Sequence, residues 1–387
     1  MRPSVTAPAP LHLMVTVNAA WNLVNFRRGL IAALLADGHR LTVLAPRDAA
    51  ADALETMGCR VIDLRMDRKG LSPLRDLALL WRFWRQMGRD RPDAVLSYTI
   101  KNNIFGAFAA RARGIAFLPN ITGLGTAFLS GRGLQGLVEG LYRRAFAKAP
   151  VVFFQNADDR DLFLARALVR PGQVRMLPGS GIDPARFPAT ARPDHPPGAP
   201  VFLMIARVLR DKGVVEFAEA AGIIRARWPG ARFRLLGPLG ADNRSAIPAE
   251  TVAGWHRQGL VEHLGALPDV RPVIAAADCV VLPSYREGMP RTLLEAASMA
   301  RPCIATDVPG CRDAVVDGQT GFLCAVRDGA ALAEACARFI ALSPEAREAM
   351  GHRARRHVER DFDQAIVIDA YRAALAALDT KGHGWRC

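Results

Sequence analysis

The stretch Arg286-Glu287-Gly288-Met289-Pro290-Arg291-Thr292-Leu293-Leu294-Glu295 decides how this chain is read. Just upstream, Cys279-Val280-Val281-Leu282-Pro283-Ser284 is an apolar run of the kind that forms a parallel strand buried on both faces. Pro290 then fits the first turn of a new helix, where its missing N–H costs nothing. Gly288 lets the backbone approach a ligand closely, and the N–H groups at the helix start form an anion site. Glu287 and Glu295 are spaced by about two helical turns, so both acids are expected to face one ligand from one side. A strand end, a tight turn, a helix start and two aligned acids imply a phosphorylated polyhydroxyl ligand. A nucleotide-sugar fits that description.

Outward from this stretch, short apolar runs alternate with helical patterns over the whole chain. In the first half the strands are expected at His12–Val17, Leu41–Ala45, Arg60–Leu64, Ala94–Ser97, Phe117–Ile121 and Val151–Gln155. Phe26–Ala36 reads as an amphipathic helix ended by Asp37-Gly38. Phe187–Pro200 contains five prolines and reads as a linker. A second series follows at Val201–Ala206, Arg232–Leu236, Val261–Leu264, Cys279–Leu282, Cys303–Thr306 and Gly321–Leu323. Such alternation predicts doubly wound parallel sheets, and 387 residues are too many for one ordinary core, so two α/β domains are expected.

Composition narrows the partners. The net charge of +14 is concentrated in the first half, which carries 26 Lys and Arg against 14 Asp and Glu up to residue 190. That half is expected to meet something anionic, such as a membrane surface or a diphosphate-linked acceptor. No aromatic-and-basic nucleic-acid motif accompanies the charge, so no nucleic-acid partner is expected. The longest uncharged run near the start, Pro3 to Phe26, is interrupted by Pro8, Pro10 and three Asn, and lacks both a membrane span and a signal-peptide layout. Seven scattered cysteines with no Cys-x-x-Cys give neither a disulfide framework nor a zinc site. A cytoplasmic location is the simplest expectation.

The segment from Glu287 to Glu295 resembles the Glu-x7-Glu motif of retaining glycosyltransferases of the GT-B fold, glycosyltransferase family 4. Tyr285-Arg286-Glu287-Gly288, Pro290-Arg291 and Thr306-Asp307-Val308-Pro309-Gly310-Cys311-Arg312 are similar to a narrower group. Its members build capsule, O-antigen or N-glycan precursors on polyprenyl diphosphate carriers. The resemblance implies two Rossmann-like domains facing a cleft. An N-terminal acceptor domain would span 1–190, with a C-terminal helix in 362–387 packing back onto it, and a donor domain 191–361. It also implies transfer of a hexose or N-acetylhexosamine from a UDP-sugar to a polyprenyl-diphosphate-linked saccharide, by a peripheral enzyme at the cytosolic membrane face.

On the donor side, Ile205-Ala206-Arg207-Val208-Leu209-Arg210-Asp211-Lys212-Gly213 lies where the second domain's first strand ends. Arg207 and Lys212 match the family's Arg/Lys pair and would converge on one diphosphate, Arg as a fork and Lys as a point charge. With Glu287 orienting the transferred sugar, these are the expected catalytic residues. Glu295 would accept hydrogen bonds from ribose hydroxyls. Gly237, Gly288, Met289, Pro290, Thr292 and Leu293 complete the expected donor site. No Asp-x-Asp metal motif with suitable surroundings is present, and two cations with a helix start would neutralise the leaving diphosphate, so no metal or other cofactor is expected.

On the acceptor side, Asn18-Ala19-Ala20-Trp21-Asn22-Leu23-Val24-Asn25-Phe26-Arg27-Arg28 follows the first strand without the glycines of a dinucleotide fingerprint. Asn22, Asn25 and Arg27 are candidates for the acceptor's diphosphate or sugar. Lys101, after another strand, is expected to face the cleft. Asn120-Ile121-Thr122-Gly123-Leu124-Gly125 resembles the group's Thr-Gly-Leu-Gly segment, which adds Thr122 and Gly123. Asn120 and Thr122 stand where many family members have a His. Two basic amphipathic stretches, Arg75–Arg91 and Gly133–Lys148, are membrane candidates. The first is expected to pack on its sheet, the second to touch lipid.

Overall fold

The computed structural model describes residues 10–67, 72–123, 132–240, 243 and 245–379. Two compact units emerge, one made of the residues up to Gly181 together with those from Gln364, the other running from Ile182 to Asp363.

The first unit is a seven-stranded parallel sheet. Its strands are β1 His12–Thr16, β2 Arg40–Ala45, β3 Arg60–Asp63, β4 Ala94–Tyr98, β5 Ala116–Ile121, β6 Val152–Phe154 and β7 Val174–Met176, in spatial order 3-2-1-4-5-6-7. Along β1, Leu13 and Val15 enter one core while Met14 enters another, the alternation of a strand covered on both sides. β7 was not legible in the sequence, because it is a three-residue edge strand with two exposed side chains. The helix expected over 26–36 is instead two helices, Ala20–Phe26 and Arg28–Ala36. They break at Arg27 (φ −135°), whose buried guanidinium lies 3.8 Å over the Tyr98 ring and donates to Asn22 Oδ1 at 2.6 Å. The helix Gln364–Asp379 belongs to this unit, burying Val367, Tyr371 and Leu375, with Arg372 gripping Asp37 at 2.7 and 2.8 Å.

Two buried histidines give this unit a pH signature. His39 Nδ1 accepts the Leu11 N–H at 3.0 Å, and His12 Nε2 lies 2.9 Å from Thr42 Oγ1. Burial holds both imidazoles below their ordinary value of 6.5. A lowered histidine pKa means that the unfolded chain takes up protons the folded chain refuses. Stability therefore falls as pH drops below about 6.5 and levels off beneath the folded values. Urea unfolding is expected to show a lower midpoint near pH 5.5 than near pH 7.5, and the difference should narrow in His39→Asn, which keeps an acceptor but cannot titrate.

The second unit is a six-stranded parallel sheet of β8 Val201–Ile205, β9 Arg232–Leu236, β10 Glu262–His263, β11 Cys279–Leu282, β12 Cys303–Thr306 and β13 Gly321–Cys324, ordered 10-9-8-11-12-13. Phe202 and Met204 face one core, Val201 and Leu203 the other. The proline-rich segment expected to be a linker is bound to this unit along its length. Phe187 is in its core, Thr190 N–H bonds Met299 O, and His195 bonds Asp278 at 2.5 Å. Prolines there fix an extended path on the surface rather than a free tether. The six described cysteines are free and buried, and burial pushes the Cys303 and Cys324 thiols up to about 12, so they behave as core side chains.

Candidate active site

In both sheets the strand order reverses at one point, between β1 and β4 in the first and between β8 and β11 in the second. Open parallel sheets bind ligands outside the carboxyl ends of the strands at that point, where successive helices splay to opposite faces.

At the β8/β11 edge the backbones are tied together. Thr292 Oγ1 donates to Ile205 O at 3.3 Å, which sets the first turn of the helix Arg291–Ser298 against the end of β8. Gly237 closes on Ala206 so tightly that a Cβ would lie 1.8 Å from the Ala206 carbonyl oxygen. Gly213, at φ +76°, would place a Cβ 2.0 Å from Pro283 O, so the turn after β8 is pressed on the end of β11. Gly310, at φ +79°, lies against Gly288 in the same way. These contacts need glycine because no side chain fits, and at Gly213 and Gly310 the positive φ adds strain for any other residue.

This packing brings the sequence-predicted residues to one edge. Lys212, in the single turn Arg210–Lys212, forms an ion pair with Glu287 at 2.5 Å, and Ser284 donates to the same carboxylate at 2.7 Å. Arg207 is exposed two residues past β8, and no ion pair involves it among the described residues. Pro290 occupies the N-cap rather than the first helical position and offers no side-chain acceptor to the helix start. Glu287 stands in the loop before the helix, so the two acids do not share a helical face. Glu295 is instead paired within the helix to Arg291 at 2.8 Å. Burial raises the Glu295 carboxyl above its ordinary value, and Arg291 pulls it partway back. Leu293 departs from the donor assignment. Its side chain is in the core and its N–H bonds Pro290 O, so neither is available to a ligand. Met289 packs partly against the same core.

Three groups escaped the sequence reading. Ser284 shares Glu287 with Lys212, and Arg291 neutralises Glu295 from four residues upstream, a spacing visible in the sequence. Tyr285 donates to Glu216 at 2.6 Å and its ring lies under Arg327, bracing the loop that carries Glu287.

The β1/β4 edge of the first unit holds a buried polar network. Asn102 bridges Thr99 Oγ1 (2.9 Å) and Thr16 Oγ1 (2.7 Å), and Asn103 donates to Asn120 O at 2.9 Å. Asn120 in turn is held by Gln155 at 3.2 Å and by Tyr371 at 3.1 Å. Thr99 sits at φ 72°, a strained conformation for a β-branched residue at the β4 carboxyl end. Arg27 and Asn22 lie together at this edge, on Tyr98. Asn25 instead donates to Trp21 O within its own helix. Lys101 is turned to Asp76 of the helix Pro73–Asp90, at 2.6 Å, so its ammonium has a partner inside its own unit. Thr122 and Gly123 end the described part of their loop, and residues 124–131 lie outside it.

Two such sheets in one chain, one of them with cations and paired acids at its reversal point, are the architecture of a GT-B enzyme. Residues 199–341 match the family described as "Glycosyl transferases group 1", and residues 24–179 the "Glycosyl transferase 4-like domain". The chain belongs to this glycosyltransferase family. It is 26% identical, over 82% of its length and 86% of the relative's, to the N,N'-diacetylbacillosaminyl-diphospho-undecaprenol alpha-1,3-N-acetylgalactosaminyltransferase of Campylobacter jejuni. It is 27% identical, over 67% of its length and 69% of the relative's, to the UDP-Gal:alpha-D-GlcNAc-diphosphoundecaprenol alpha-1,3-galactosyltransferase of Escherichia coli. Among solved structures, a Rickettsia africae glycosyltransferase superposes with a TM-score of 0.76 at 18% identity, covering 97% of this chain and all of that one. Anabaena HepE in complex with UDP-glucose does so with 0.76 at 16% identity, over 95% of this chain and 99% of its own. No helix among the described residues is long and apolar enough to cross a membrane.

Proposed function

We propose that the enzyme moves a hexose or N-acetylhexosamine from a UDP-sugar to a polyprenyl-diphosphate-linked saccharide, with retention at the anomeric carbon, as a peripheral protein on the cytosolic face of a membrane. The observation that carries this reading is the Lys212–Glu287 pair at the β8/β11 edge where Arg207 follows β8, in a chain two of whose relatives are named for undecaprenyl-diphosphate acceptors. Arg207 and Lys212 would hold the donor diphosphate. Glu287 would exchange part of its contact with Lys212 for the sugar's hydroxyls, and Glu295 with Arg291 would lie by the ribose. The C1–O bond to the phosphate breaks with its electron pair on the leaving oxygen. The acceptor hydroxyl attacks from the same face, and its proton passes to that oxygen. Arg27, Asn22 and the Asn120 network would meet the acceptor. Two cations and the helix start supply the charge stabilisation here, so turnover is expected to survive chelation of divalent metals.

The test is to offer UDP- and GDP-sugars with a polyprenyl-diphosphate saccharide and read product and anomeric configuration by NMR. A retained linkage formed from a UDP donor supports the reading. Isomerisation of the donor without acceptor, or equal transfer to a soluble metabolite or protein that carries no prenyl diphosphate, overturns it.

A further inference from the structure

The helix Pro73–Asp90 buries Leu79, Phe83 and Met87 against the first unit and turns a second apolar face outward. Leu74, Leu77, Trp81 and Trp84 are 80%, 62%, 53% and 42% exposed. At the helical repeat these four fall within about 80° of arc, forming one stripe along the helix. Arg82, Arg85 and Arg89 occupy the adjoining arc. Arg85 reaches over the Trp81 ring at 5.2 Å, and Arg113 from the following helix covers Trp84 at 3.6 Å. Both carboxylates of the helix are turned away, Asp76 to Lys101 at 2.6 Å and Asp90 to Arg60 at 3.2 Å. The face is therefore apolar, aromatic and cationic, with its acids engaged elsewhere.

The sequence-based expectation places the lipid contact on the other basic stretch, 133–148. The helix Arg132–Phe146 buries Val138, Tyr142, Ala145 and Phe146 and exposes Leu137. Among the described residues, it is Pro73–Asp90 that presents a continuous stripe.

We propose that the stripe docks the enzyme on an anionic lipid surface, Leu74, Leu77, Trp81 and Trp84 entering the headgroup boundary and the arginines meeting lipid phosphates. Tryptophan and arginine side chains suit that boundary because each has an apolar body and a polar end. Basic flanks add attraction that salt weakens. The docking deepens the reading above and rests on it for the reason a lipid is met. The Asp76–Lys101 pair sets the first turn of this helix beside the start of the helix Ile100–Arg113, at the carboxyl edge of β4. A bilayer on the stripe then lies next to the edge that holds Arg27, Asn102 and Asn120.

The test uses the full chain in co-sedimentation with phosphatidylglycerol-containing vesicles and with phosphatidylcholine vesicles. Wild type is expected to bind the anionic vesicles and to be released by salt. Leu77→Gln/Trp81→Gln/Trp84→Gln should lose about tenfold or more in partition, and Arg82→Gln/Arg85→Gln/Arg89→Gln should lose the preference for anionic lipid. Leu137→Gln should bind as wild type does. Circular dichroism confirms that each variant is folded, and brominated lipids should quench wild-type tryptophan fluorescence. Equal partition of wild type and the apolar variant overturns the proposal. So does a dimer that dissociates in that variant, which would make the stripe a contact between copies. A water-soluble short-chain acceptor separates the two readings. Transfer to it by the apolar variant at the wild-type rate, with transfer to vesicle-borne acceptor lost, supports both. No transfer by wild type to either acceptor, with vesicle binding still tracking the stripe, sinks the function and leaves the docking standing.

Discussion

Lys212→Ala is expected to lower turnover by about 10²–10³-fold, the usual cost of removing one preorganised group that stabilises charge developing in a transition state. Lys212 is only 21% exposed and Glu287 14%, so their interaction is poorly screened, and among the described residues the carboxylate left behind keeps only the Ser284 hydroxyl as a partner. Two losses must then be told apart. Part of the change is structural, the cost of a half-buried acid without its cation. Part belongs to the diphosphate. Lys212→Ala/Glu287→Gln removes the unpaired charge and should recover the urea midpoint while turnover stays low. Full recovery of turnover in the double variant would remove Lys212 from the donor site.

Gly213→Ala should have the largest effect on the donor edge without touching any polar group. The residue is at φ +76° and its Cβ would fall 2.0 Å from Pro283 O, a backbone atom that cannot swing aside. Left-handed strain and overpacking together predict a loss of about 2–5 kcal/mol, measured by denaturant unfolding. Whatever fraction folds must part the turn carrying Lys212 from the β11 end, so UDP affinity in calorimetry should fall as well. Gly240→Ala is the control for the conformational cost alone. It also has positive φ (+69°), but nothing lies within 4 Å of its added Cβ. If both variants bind UDP equally well, the close approach at Gly213 does not shape the site.

The alternation of apolar runs and helices carried the fold, because strands buried on both faces leave an almost continuous hydrophobic signature, as in Cys279–Leu282 and Val201–Ile205. Where that signature thins, the reading failed. Val174–Met176 pairs at an edge with two side chains in solvent. The break at Arg27 depends on Tyr98, which lies 71 residues further along, and no local pattern reports such a contact. The site divided along the same line. That Lys212, Glu287 and Thr292 would lie close to strand ends was legible because position along an alternating pattern is a local property. The long-range partners required the fold, since Lys212 is 75 residues from Glu287 and Asp76 is 25 from Lys101, whereas the spacing of Arg291 and Glu295 was local. Spacing alone suggested that Glu287 and Glu295 face one ligand from one side; the structure puts the first in a loop and the second in a helix and gives each its own cation.

The return of Gln364–Asp379 to the first unit has a bearing on how the protein is made. Val367, Tyr371, Ala374 and Leu375 complete a core whose other buried members were synthesised before residue 182, and Tyr371 supplies a partner for Asn120. The unit from Ile182 to Asp363 is uninterrupted in sequence, whereas the earlier one is complete only once its final helix has been made. A premature stop just before Gln364 would spare the unit from Ile182 to Asp363 and leave the half that emerged first with an open wound in its interior.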